Sequence, residues 1–155
     1  MNLSKAIKKL ILHEPFYGIF AASLHKEVNN KIPTAGVSKH NIGVKLAYNE
    51  KFFNSLTDKQ KLGILKHELL HVSLGHLIIR DKFSDKKIFN IAADLEINQY
   101  IDRDWLPDDV LFLSSFPDLN LPVKAGTKAY YDILIKKAED GGSDSLNNLL
   151  DQMDG

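Results

Sequence analysis

The apolar positions of this chain change period several times, and the changes divide it into elements. Ile7, Leu10 and Ile11 recur at helical spacing and predict a helix over residues 3–13, which Pro15 discourages from continuing at Glu14. A second helix is predicted over 16–28, closed by the turn signal Asn29-Asn30-Lys31. Residues 32–43, with Pro33, Gly36 and Gly43, read as irregular. Ile42, Val44, Leu46 and Tyr48 then alternate with other residues, the period-two mark of a half-buried strand, with Val37 and its neighbours as a partner strand. Residues 56–79 read as one long helix. Thr57 and Asp58 offer N-cap oxygens, and Leu62, Leu65, Leu69, Val72 and Leu74 give an apolar surface broad enough to bury it on most sides. After a charged connector over 81–87, a helix is predicted around 90–98, with Ile91, Leu95 and Ile101 as core contacts. Residues 105–122 are mostly irregular but packed onto the core through Leu111, Phe112, Leu113 and Phe116, a connection long enough to wall a cleft. Thr127 is expected to cap a helix reaching about Ala138, and Gly141-Gly142-Ser143 breaks the chain again. The predicted fold class is α+β and mainly helical, with a long helix packed against a small β-sheet.

His67 and His71 interrupt the apolar surface of the long helix, and Glu68 lies beside the first of them. Residues i and i+4 share a helix face, so the two imidazoles can bind one Zn²⁺ at about 2.0–2.1 Å each. Glu68 sits about 100° around the helix, from where it can take a proton from a metal-bound water. His67-Glu68-Leu69-Leu70-His71 is thus the H-E-x-x-H arrangement of zinc metallopeptidases. Three polar groups in a buried helix also need compensation, which a cation supplies.

A catalytic zinc keeps three protein ligands and one open position. Asn90, Asp94 and Asn98 recur at i, i+4 and i+8, a polar stripe on an otherwise apolar helix, and the two amides are placed to hold the Asp94 carboxylate. Asp94 is therefore the preferred third ligand. Glu96 points about 200° away from it and is the rival, since it would complete a His₂Glu site. His76 follows His71 by five residues, about 140° around a continuing helix, and would face away from the metal unless Gly75 ends the helix and redirects the chain. In H-E-x-x-H-x-x-G-x-x-H the Gly and His follow the second His by three and six residues, whereas here they follow by four and five. His76 is accordingly read as supporting the ligands or the fold. Tyr130, Tyr131 and His76 are oxyanion donors by residue type only.

The HELLH run, taken with Pro15-Phe16-Tyr17-Gly18, Ile32-Pro33-Thr34-Ala35-Gly36-Val37, Tyr48-Asn49, Gly75-His76 and the Asn90-Ile91-Ala92-x-Asp94-x-x-Ile97-Asn98 segment, resembles a family of bacterial and phage metallopeptidase-like proteins. Its members often carry a von Willebrand factor A-like domain after the peptidase-like domain. The resemblance implies a zincin-like fold, His67 and His71 as ligands, Glu68 as general base and Asp94 as third ligand. In zincin-like enzymes a strand near the metal pairs with extended substrate. Residues 44–48 are a candidate for that edge, with an ordinary sheet strand as the competing reading. No von Willebrand-type domain follows before Gly155, so a short stand-alone member or the N-terminal part of a longer protein is expected.

Composition narrows this only at the margins. The 155 residues predict one zincin-like domain over 1–140 and an acidic tail over 141–155, flexible or weakly helical. Zero formal net charge gives no field favouring nucleic acid or an anionic membrane. With no cysteine, any metal must be held by His and carboxylate, and a reducing, cytoplasmic location is expected. No secretory signal and no apolar stretch of bilayer length is visible. The expected function is zinc-dependent hydrolysis of peptide bonds in a peptide or protein substrate. The alternative is a binding or regulatory module that keeps the metal as a cross-link.

Overall fold

The computed structural model describes residues 1–154. Helix α1 (Leu3–His13) starts where the Asn2 side chain accepts the Lys5 backbone N–H at 2.9 Å. It stops at Glu14, and Pro15 opens α2 (Pro15–Ser23) from a position where its missing N–H is not needed. A Cβ on Gly18 would overlap the backbone of Ile11, so the two helices touch through a residue without a side chain.

The helix predicted to reach Val28 ends five residues earlier. Leu24 is extended, the Lys26 Nζ donates to the Ala22 and Leu24 carbonyls at 2.9 and 2.7 Å, and His25–Val28 forms strand β1. Strands β2 (Ala35–His40) and β3 (Gly43–Tyr48) make an antiparallel hairpin in the register Ala35↔Tyr48 to His40↔Gly43, turned at Asn41 with φ of 52°. β1 joins in parallel, His25 opposite Lys45 and Val28 opposite Tyr48, giving the order β1-β3-β2. β3 is therefore the central strand. Positions 45–48 are paired on both sides and offer no edge to an extended ligand, which corrects the candidate assignment of 44–48.

A short helix that the sequence pattern did not announce, α3 (Glu50–Ser55), is capped by the Asn49 side chain, which accepts the Phe52 N–H at 2.9 Å. Helix α4 (Asp58–Ser73) begins with a reciprocal cap. The Thr57 hydroxyl accepts the Gln60 N–H, and the Gln60 side chain accepts the Thr57 N–H at 3.0 Å. Leu62, Leu65 and Leu69 are buried against Ala6, Leu10, Leu46 and Phe53. Burial of each such leucine stabilises the fold by roughly 1.5–3 kcal/mol. Residue pairing along the backbone divides the chain into two units. The first is Met1–Leu77 with Ile101–Asp108. Its last piece holds a 3₁₀ turn (Arg103–Trp105) that returns to α4, where a Cβ on Gly63 would overlap the Trp105 carbonyl. Gly63→Ala is expected to cost about 1–3 kcal/mol of overpacking despite alanine's better helix propensity. A urea unfolding curve reads this, and an unchanged or raised midpoint would contradict the close approach.

The second unit comprises Ile78–Tyr100 and the chain from Asp109 on. It contains α6 (Lys86–Asn98), α7 (Thr127–Glu139) and α8 (Asp144–Asp154), while α5 (His76–Ile79) precedes α6 in the chain. Asp85 caps α6 by accepting the Ile88 N–H at 3.0 Å. The core here is Ile88, Phe89, Ile91, Leu95, Phe116, Tyr130, Leu134 and Leu146, so α8 contributes a fully buried leucine. Residues 105–122 lack long elements, as predicted, and carry 3₁₀ turns at Leu113–Ser115 and Pro117–Leu119. The chain is α+β and mainly helical with one three-stranded sheet among the described residues. No single helix among the described residues is long and apolar enough to cross a membrane.

Candidate metal centre

The C-terminal half of α4 presents His67 and His71 on one face. Their Nε2 atoms lie 3.1 Å apart and the rings meet edge to face. Two nitrogens about 2.0–2.1 Å from one tetrahedral ion would be about 3.3 Å apart, so these rings already have the spacing of two ligands on one cation. His71 is in the last turn of α4, where the negative end of the helix dipole favours positive charge. Both rings are half-buried and Glu68 between them is buried. Just before the motif, Lys66 ties the helix to α2. Its ammonium is 2.9 Å from Glu14 Oε1 and 5.2 Å from the centre of the Tyr17 ring.

The helix predicted over 56–79 is broken at Gly75. The Leu74 N–H reaches the Leu70 carbonyl at 2.9 Å and the Gly75 N–H reaches that of Val72 at 3.0 Å, while Gly75 itself takes φ of +74°. A Cβ there would meet nothing within 4 Å, so backbone conformation rather than space calls for glycine. The left-handed residue starts α5 in a new direction and turns His76 back toward the end of α4. His76 is buried, at 3 % exposure, and its Nδ1 lies 2.9 Å from the Nδ1 of His71. The break replaces the outward direction that a continuous helix would have given it. His71 thus has His67 against one ring nitrogen and His76 against the other.

On α6, Asp94 is half-buried, and the residues around it have separate uses. The Glu96 carboxylate accepts both the Thr127 N–H, at 2.8 Å, and the Thr127 hydroxyl, so it caps the start of α7. The cap of that helix comes from Glu96, 31 residues upstream, and not from the Thr127 hydroxyl as predicted. Asn98 is buried and its amide donates to the Leu111 carbonyl at 2.8 Å, holding the irregular stretch, while Asn90 is exposed. The two tyrosines considered as oxyanion donors are structural. Tyr130 is fully buried, donates to the Pro122 carbonyl and accepts from Gln99 and Ala125, and the Tyr131 hydroxyl accepts the Asp85 N–H at 3.1 Å.

His67 and His71 belong to the first unit, and the carboxylate that the sequence pairs with them, Asp94, belongs to the second. Two imidazole nitrogens and one carboxylate oxygen form a donor set that Zn²⁺ accepts, with no thiolate required. The two histidine rings meet because both lie on one face of α4. The bond that engages Glu96 has no local sequence signal, because Thr127 lies 31 residues downstream.

The family model described as "Putative metallopeptidase domain" matches residues 1–148, and the chain belongs to that family. A Thermotoga maritima protein, described only as an uncharacterized protein, is 30% identical over 102 residues. The match takes in 64% of this chain and 26% of that relative, so the chain spans about a quarter of the relative's length. No solved structure gives a significant match.

Proposed function

We propose that this chain is a zinc-dependent, zincin-like metallopeptidase that hydrolyses peptide bonds in a peptide or protein substrate, with Glu68 as general base. The 3.1 Å approach of the His67 and His71 Nε2 atoms, with Glu68 between them on α4 of a chain of this family, carries the reading. His67 and His71 would hold the ion through Nε2, and Asp94 through a carboxylate oxygen. When bound, Zn²⁺ supplies Lewis-acid polarisation of a carbonyl and a water with its pKa lowered toward about 7. Glu68, one residue from His67 on α4, accepts the proton of the attacking water and hands it to the departing amine, so the carboxylate is regenerated each turnover.

The Glu68 carboxylate beside His67 favours hydrolysis over a purely structural cross-link. A structural zinc is held by its protein ligands alone and has no use for a general base beside them. His76 approaches the Nδ1 of His71, the nitrogen turned away from His67. A chelator is expected to abolish cleavage of an unfolded protein substrate, and one equivalent of Zn²⁺ is expected to restore it. Cleavage that survives complete metal removal, or a purified protein that takes up no zinc, would overturn the proposal.

A further inference from the structure

Two imidazoles that meet through like nitrogens constrain each other. The Nδ1 atoms of His71 and His76 are 2.9 Å apart, so one must carry a hydrogen and the other a lone pair. If the Nε2 of His71 is given to a metal, that nitrogen has no hydrogen, and the neutral ring must carry its proton on Nδ1. His76 must then present an Nδ1 lone pair. We infer that His76 is a positioning residue for the metal, fixing the ring angle and tautomer of His71 by accepting its Nδ1–H. The inference rests on the reading of His71 as a ligand and goes beyond it, because it assigns a task to a residue outside the donor group.

Three structural features argue for this task. His76 is buried at 3 %, so its ring is held by packing and not by solvent. It comes from α5, across the left-handed Gly75, and not from the turn that carries His71. Its approach is to the nitrogen that a ligand bonded through Nε2 leaves for a supporting partner, the usual place for the group that orients a metal-bound imidazole. A carboxylate or backbone carbonyl commonly has this place, and a neutral imidazole can serve because its unprotonated nitrogen is an acceptor.

The test compares His76→Leu with His76→Asn in the full chain, using Zn²⁺ competition against a chromophoric chelator and the visible spectrum of the Co²⁺-loaded protein. Asparagine carries Oδ1 on Cγ, where histidine carries Nδ1, so it restores an acceptor at the same branch of the side chain. Leucine fills space and accepts nothing. Removing the acceptor is expected to weaken Zn²⁺ binding about 10–100-fold and to alter the Co²⁺ absorption, while the asparagine variant stays within about threefold of the parent. A merely structural role for His76 would lower the thermal stability of the metal-free protein without separating the two variants in affinity or spectrum, and that result overturns the inference. If the parent itself binds no zinc, the reading of the metal centre falls and takes this one with it. If the parent binds zinc and the leucine variant binds equally well, only the role of His76 falls. Should the leucine variant fail to fold, ¹⁵N-labelled parent protein loaded with Zn²⁺ decides the matter. A scalar coupling between the two Nδ1 nuclei, with the proton on His71, supports the assignment, and no coupling overturns it.

Discussion

Glu68→Gln is expected to retain one equivalent of Zn²⁺ and to lower kcat for peptide cleavage by about 10²–10⁴-fold, the usual contribution of a positioned general base. Glutamine keeps the shape of the side chain and nearly the same helix propensity, so α4 and the His67–His71 spacing are preserved. What disappears is a group able to take a proton, because the amide oxygen is not basic near neutral pH. Glu68 is buried at 7 % exposure, so water is poorly placed to substitute for it. Zinc content measured beside cleavage of an unfolded protein separates the possible outcomes. Full zinc with parental turnover would remove Glu68 from the mechanism. Loss of zinc together with activity would mean that Glu68 acts by supporting the ligands.

The second large effect is expected from His71→Ala. Removing one of two adjacent imidazole donors should abolish stoichiometric zinc. The protein would then lose whatever stability the ion confers, about 4 kcal/mol when free Zn²⁺ exceeds its Kd a thousandfold. A further loss, of about 1–3 kcal/mol, arises without metal because the buried His76 is deprived of the nitrogen facing its Nδ1. The unfolding temperature with and without Zn²⁺ distinguishes the two contributions. The parent should rise on adding zinc and the variant should not. A His71→Ala protein that still bound one equivalent would contradict the ligand assignment.

The parts of the fold legible in the sequence are those that carry their own period and their own caps. The bounds predicted for α1 are those observed, and Thr57 marks the start of α4 through a reciprocal bond with Gln60 that needs no distant partner. β1 was hidden. His25–Val28 has no pattern separating it from the end of a helix, and its extended form depends on pairing with β3, which follows about twenty residues later. The break at Gly75 was hidden for a different reason. Leu74 and Ile78 continue an apolar series past it, yet both are exposed, at 39 and 72 %, so the series did not mark a buried face. In the candidate site the approach of His67 to His71 is legible because one helix fixes their spacing. Of the amides flanking Asp94, Asn98 donates to the Leu111 carbonyl, a partner that the i, i+4 spacing does not announce. What engages the rival Glu96 is not legible locally, since Thr127 lies 31 residues downstream at the start of α7.

The return of residues 101–108 to the first unit bears on how the protein can be cut apart. A fragment ending at Leu77 would hold the whole HELLH run but would leave Gly63 bare where the Trp105 carbonyl rests, and would strip His13 of the indole that meets its ring edge-on. The histidine-bearing helix is thus completed by chain made after it, and a nascent polypeptide would have to emerge past Asp108 before that surface closed.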